Sequence, residues 1–105
     1  MRRPITEIAR VIRSKNSGPF ELTLDILFRT EADYRTVRDT RQVTPELVAR
    51  IYGIPLADVL SVVYFDPAMA VKATFRRPLP SGVPGDSDIY GAQQHAPLLG
   101  LEFDV

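Results

Sequence analysis

The chain has 105 residues, 45% hydrophobic and 25% charged, with 13 basic side chains balanced by 13 acidic ones. This composition fits a single globular domain, 1–105, with one core and no basic field to favour a nucleic-acid backbone. Cysteine is absent, which excludes disulfides, thiolate catalysis and cysteine metal sites.

Arg2 and Arg3 look like the start of a signal segment, but Glu7, Arg10 and Arg13 interrupt any apolar stretch behind them. The chain is therefore expected to be cytoplasmic, with no secretory or membrane-spanning segment. Ile5, Ile8, Ala9 and Ile12 recur at i, i+3, i+4 and i+7, and this spacing predicts a helix over 4–13 that starts on Pro4. The polar run Ser14-Lys15-Asn16-Ser17-Gly18-Pro19 then reads as a loop.

Phe20 to Phe28 gives the clearest strand, with Phe20, Leu22, Leu24, Ile26 and Phe28 on one face. Thr30 reads as the N-cap of a helix over 31–39 that buries Tyr34 and Val37. Thr44 and Pro45 open a second helix, Leu47, Val48 and Ile51 form its apolar stripe, and Gly53 ends it. Asp58 to Phe65 is almost wholly apolar and is expected to be a central strand covered on both faces. Asp66-Pro67-Ala68 turns the chain into a strand with Val71, Ala73 and Phe75 inward, so the two strands form a hairpin.

The stretch 78–97 has no periodicity and holds four prolines and three glycines. Long loops of this kind tend to be functional or packed on a partner. A last strand is expected with Leu99, Leu101, Phe103 and Val105 inward and Glu102 and Asp104 outward. The resulting fold is α+β. Its nearest frame is ferredoxin-like: a four-stranded, mainly antiparallel sheet, helices on one face, and a long Pro/Gly-rich loop before the last strand.

Three segments carry candidate chemistry. In Arg13-Ser14-Lys15-Asn16-Ser17-Gly18, two cations, two hydroxyls and an amide are suited to a carboxylate or phosphate, with Gly18 freeing backbone N–H groups to converge. The expected topology brings Arg77, beside Arg76, close to Arg13 and Lys15. Gln93 and Gln94 offer uncharged hydrogen-bonding groups next to His95, which is the sole histidine and a candidate proton-transfer residue. Lys15 and His95 are thus the catalytic candidates; Arg13, Ser14, Asn16, Ser17, Gly18, Arg77, Gln93 and Gln94 are the anion-binding ones. Asp86 and Asp88 supply too few oxygens for a hard-cation site, and one histidine without cysteine makes no zinc site. No cofactor or metal is expected.

The segments Ile5-Thr6-Glu7-Ile8-Ala9, Ile12 to Asn16, Gly18 to Asp25, Phe65-Asp66-Pro67-Ala68 and Tyr90 to Pro97 resemble a small bacterial family of stand-alone partners of AtuA-type (acyclic terpene utilisation) proteins. The order of elements is also similar to the small C-terminal domain of those proteins, which has an Arg-Ser-Gly-Asp-Lys-Gly loop after its first helix. Here Arg13 to Gly18 occupies that place, with the Asp absent and the lysine earlier. The resemblance implies an accessory subunit that completes the active site of a hydratase or lyase on a large AtuA-type subunit. The substrate it implies is a small carboxylate or an acyl-CoA ester. A non-catalytic interaction protein and a homo-oligomeric ligand-binding module are the alternatives. Nucleic acid and membrane are not expected partners.

Overall fold

The computed structural model describes residues 1–18, 20–76 and 95–105. Its elements are β1 (Arg2–Pro4), α1 (Ile5–Ile8), β2 (Ala9–Gly18), β3 (Glu21–Phe28), α2 (Glu31–Asp39), α3 (Pro45–Tyr52), β4 (Val59–Phe65), β5 (Ala70–Arg76) and β6 (Glu102–Asp104). A short 3-10 turn, Ala96–Gly100, leads into β6. The fold is α+β. Four antiparallel strands in the order β2-β3-β5-β4 form the main sheet, and β1 and β6 make a separate ribbon.

β3 organises the sheet. Leu22, Leu24, Ile26 and Phe28 all point to one face and are buried. Val71, Ala73 and Phe75 of β5 lie on the same face, and the helices contribute Ile5, Ile8, Tyr34, Val37 and Val48 to the same cluster. Phe28 is packed between the rings of Tyr34 and Phe103, with centroids 5.9 and 6.2 Å away.

The two longer helices, α2 and α3, start and stop as the sequence predicts. Thr30 and Thr44 accept from the backbone N–H groups of Asp33 and Leu47. Gly53 closes α3 at φ 63°, a left-handed conformation that glycine adopts without steric cost.

Other expectations are corrected. The helix over 4–13 is one turn, Ile5–Ile8, followed by a ten-residue strand. The helical spacing of Ile5 and Ile8 ends there. A bulge between Ala9 and Val11 then resets the chain so that Ile12 faces inward opposite Ile26. Pairing with β3 outweighs local helix propensity, which is a weak signal in a short segment rich in Val and Ile. The loop expected from Ser14 to Gly18 is consequently ladder: Gly18 is the last residue of β2 and pairs with Glu21, so it forms no loop of converging N–H groups.

The expected central strand, β4, is instead an edge. It pairs with β5 alone among the described residues, and Leu60, Val63 and Phe65 are exposed. β5 and β3 take the interior because each finds a partner on both sides.

The last strand joins β1 and not the main sheet. Phe103 points inward as expected, and Glu102 and Asp104 point outward. The 3-10 turn, with Pro97 near its start, replaces Leu99 by Leu98 as the inward residue, leaving Leu99 exposed. The expected long loop, 78–97, lies largely outside the described residues.

Gln42, between α2 and α3, fixes this ribbon. Its side-chain amide donates to the Asp104 carbonyl at 2.7 Å and accepts from the Asp104 N–H at 2.8 Å, imitating a neighbouring strand. Replacing it by Ala removes both bonds and is expected to cost about 1–2 kcal/mol. Urea denaturation of Gln42→Ala checks this; an unchanged midpoint would mean that Phe103 alone holds β6 in place.

Candidate functional site

The two faces of the main sheet differ in kind. One carries the core. The other, called the open face here, is built from the remaining residues of each strand, and cross-strand register fixes which of them meet. Arg13, Asp25, Lys72 and Val63 form one row across β2, β3, β5 and β4. Lys15, Thr23, Thr74 and Ser61 form the next, and Glu21 lies opposite Arg76 beyond it.

The anchor of this face is Asp25. Its carboxylate is buried, and Arg13 donates from Nε to Oδ2 at 2.9 Å. Oδ1 is also buried and has no hydrogen-bond partner among the described residues. A carboxylate withdrawn from water needs a compensating charge, and Arg13 supplies it. Arg13 is thus held to a structural partner through Nε. The neighbouring row is differently made. The hydroxyls of Thr23 and Thr74 are 3.2 Å apart. Lys15, Lys72 and Arg76 are exposed and make no ion pair among the described residues. Lys72 stands over the Phe65 ring at 5.8 Å. Lys15 shares a row of the open face with Thr23 and Thr74, and Lys72 and Arg76 stand in the rows on either side of it.

A second polar cluster joins α2 to the turn after β4. The Tyr34 hydroxyl donates to Asp66 Oδ1 at 2.5 Å, and Arg38 donates to the same oxygen at 3.1 Å. Burial, reinforced by the Asp66 carboxylate, pushes the Tyr34 phenol up to about 12, so it remains a neutral donor near neutral pH. The Tyr34 hydrogen bond and then Arg38 hold Asp66 below the ordinary carboxylate range. Beside this cluster is an open cleft of about 530 Å³ lined by Arg38, Arg41, Pro45, Val62 and Tyr64, among others. The Tyr64 hydroxyl spans the Val43 backbone, accepting from its N–H at 3.1 Å and donating to its carbonyl at 2.7 Å.

Strand alternation divides the residues expected to act together. Arg13 and Lys15 lie on the open face. Ser14 and Asn16 sit opposite Leu24 and Leu22 on the core face, and Ser14 is buried. Ser17 is exposed, and Gly18 ends the strand. Arg76 lies opposite Glu21, on the same face as Lys15 with β3 between them. Arg77, Gln93, Gln94, Asp86 and Asp88 lie outside the described residues. His95 opens the 3-10 turn, where its carbonyl accepts from Leu98 N–H at 2.9 Å. That turn packs on α1 and α3 with Leu98 in the core, on the helical side of the sheet and away from Lys15.

Sequence reasoning did not single out Asp25, Thr23, Lys72 or Thr74. Asp25 and Thr23 sit in the polar phase of the best-defined strand, but their meeting with Arg13, Lys72 and Thr74 depends on register between strands up to fifty residues apart. Among the described residues no group of three or more His, Asp or Glu is placed to hold a metal ion, and no helix is long and apolar enough to cross a membrane.

The chain belongs to the family described as a domain of unknown function (DUF4387), whose model matches residues 5–102. No curated protein and no solved structure matches it.

Arg13→Ala is expected to destabilise the fold by about 1–3 kcal/mol, because it leaves the buried Asp25 uncompensated. Lys15→Ala, an exposed change, should stay within about 0.5 kcal/mol. Equal midpoints in denaturant for the two variants would contradict this division. Asp66 has its own signature. Its pKa is lowered in the folded state, so its contribution is complete well above 3.8 and fades as pH falls through the lower folded value. Asp66→Asn should therefore melt below wild type at pH 7, and the gap should close as the buffer is acidified through the lowered folded value. A gap independent of pH would assign the loss to packing.

Proposed function

We propose that this chain is the small accessory subunit of a catabolic enzyme, a hydratase or lyase, and that it completes an active site with a large AtuA-type subunit. Its contribution is the open sheet face, where Lys15 and the Thr23–Thr74 hydroxyl pair take the carboxylate of an organic acid or a phosphate of an acyl-CoA ester. The observation that carries this reading is that exposed Lys15, Lys72 and Arg76 share one face with those hydroxyls, in three successive rows of the sheet. Charge-assisted hydrogen bonds from such groups contribute about 1.5–3 kcal/mol each. Arg13 acts by fixing the carboxylate beneath them and has no direct part in binding. His95, on the helical side, serves contact with the large subunit.

The ferredoxin-like frame enters this reading in permuted form. The run β3, α2, α3, β4 is a split βαβ unit with β5 between its parallel strands, as the first half of a ferredoxin-like domain has it. The strand that closes such a sheet beside the first one is here β2, supplied from before β3 and not from the chain's end. The likeness to the small domain of AtuA-type proteins is thus one of sheet order more than of chain order.

A non-catalytic interaction protein is the second reading. Exposed Val63 and Phe65 on the same face favour it, since apolar side chains there suit a protein partner better than an anion.

Steady-state kinetics of the reconstituted complex separate the two. Lys15→Ala should raise KM roughly 10- to 100-fold, at about 1.4 kcal/mol per decade, with kcat nearly unchanged if the group is held equally in ground and transition states. Wild-type KM from Lys15→Ala would leave the interaction reading. An active large subunit that neither binds nor needs this chain would end both.

A further inference from the structure

We propose that the cleft between the α2–α3 connection and β4 binds a small monocarboxylate with an apolar body, and that Arg41 holds the carboxylate. The cleft lies on the helical side of the sheet, on the face away from Lys15. This inference does not rest on the functional reading above.

Arg41 stands where glycine is the ordinary choice. At the end of α2 the Gln42 N–H donates to the Val37 carbonyl and the Arg41 N–H to the Arg38 carbonyl, both at 3.0 Å. This pair of bonds is a Schellman closure, and its left-handed residue is usually glycine. Here that residue is Arg41, at φ 50°. α3 ends on Gly53 in the same left-handed region, so the chain uses glycine at one helix end and a long cation at the other. Backbone strain of this kind collects at ligand-binding sites. Arg41 is exposed, makes no ion pair among the described residues, and lines the cleft of about 530 Å³. Its charge is felt in the cleft wall: burial pushes the Tyr64 phenol up, while the Val43 carbonyl and then Arg41 oppose the rise.

The charges and donors of the cleft select the ligand. Among the described residues Arg38, Asp39 and Arg41 are its charged lining. Arg38 is engaged, since Nε donates to Asp39 Oδ1 at 2.9 Å and Nη1 to Asp66 Oδ1 at 3.1 Å. Asp39 is neutralised in the same contact. Arg41 is left as the one uncompensated charge of this lining, which matches a single negative charge. Thr44 accepts from the Leu47 N–H at 3.2 Å and keeps its hydroxyl proton to donate. The Tyr64 hydroxyl is engaged on both sides by the Val43 backbone, so Tyr64 offers the cleft its ring surface. Pro45 and Val62 extend that apolar wall. A planar cationic fork, a hydroxyl donor and an apolar wall complement a carboxylate carried on a short hydrocarbon chain or ring. A phosphate dianion would bring a second charge with no cation to meet it and would leave the apolar wall uncovered.

Amide NMR titration of the full chain with hexanoate and with benzoate tests the proposal. At least one acid should bind saturably, with a Kd of about 1 mM or tighter, and should shift the amides of Arg41, Gln42, Thr44 and Tyr64. Its neutral primary amide and inorganic phosphate should each bind at least about tenfold more weakly. Arg41→Gly and Arg41→Gln should each weaken the acid about tenfold or more. Arg41→Gly should melt no more than about 2 °C below wild type, because glycine relieves the left-handed backbone. Lys15→Ala, on the other face of the sheet, should keep the affinity within about twofold. Saturation by neither acid up to about 50 mM would overturn the proposal. So would wild-type affinity in both Arg41 variants, phosphate or the neutral amide binding as tightly as the acid, or loss of binding in Lys15→Ala, which would put the carboxylate on the open face.

Discussion

The structure depends on the period-two alternation of β3. Four buried side chains, Leu22, Leu24, Ile26 and Phe28, bind this strand to the helical layer. A slip of one residue would exchange all of them for Thr23, Asp25 and Leu27. The register of β2 and β5 on either side is therefore fixed by the core, and the groups that meet on the far face are fixed with it. Arg13 meets Asp25, and Thr23 meets Thr74, because Leu24 cannot leave the interior. The polar face inherits its geometry from the apolar one.

The same constraint accounts for how the two edges differ. Among the described residues both outer strands are held by one neighbour, yet the chain treats them oppositely. β2 is spiked with cations and interrupted by bulges, whereas β4 keeps an apolar, uncharged run. The interior placement of β5, with its alternating Lys72 and Thr74, makes clear that burial on both faces is not needed for a central strand. The open face is half polar, and the molecule presents both an ionic and an apolar surface on it.

Much of this was readable in the sequence, and the failures share one cause. β3, the two capped helices and the β4–β5 hairpin were legible because their signals are local: alternation from Leu22 to Phe28, Thr30 and Thr44 as caps, Gly53 as a stop; Phe20, expected on the same inward face, lies before the strand and is exposed. The segment from Ala9 to Gly18 was not. Ile5, Ile8, Ala9 and Ile12 satisfy a helical period on paper, and nothing nearby announces that β3 will pull Ile12 into a ladder. β4 misled for a similar reason. An apolar run looks the same whether two layers cover it or whether it waits at an edge. The candidate site suffered most, since Arg13 to Gly18 as a loop is a cluster, and as a strand is two half-clusters facing opposite ways. Lys15 kept its place on the polar side, and its true neighbours, Thr23, Thr74 and Lys72, come from strands whose register no local pattern encodes.

Arg41 stands at φ 50°, a left-handed backbone that glycine would adopt more cheaply by about 1 kcal/mol. The chain thus keeps a side chain where the backbone alone would prefer none. Substitution by glycine should be nearly free, or even helpful, for an isolated molecule in dilute buffer. A screen that scores thermal stability alone would accept that change, although it removes a cation that lines the cleft beside Tyr64. The tight connection between α2 and α3 is therefore a place where the least strained backbone and a charged surface group exclude one another.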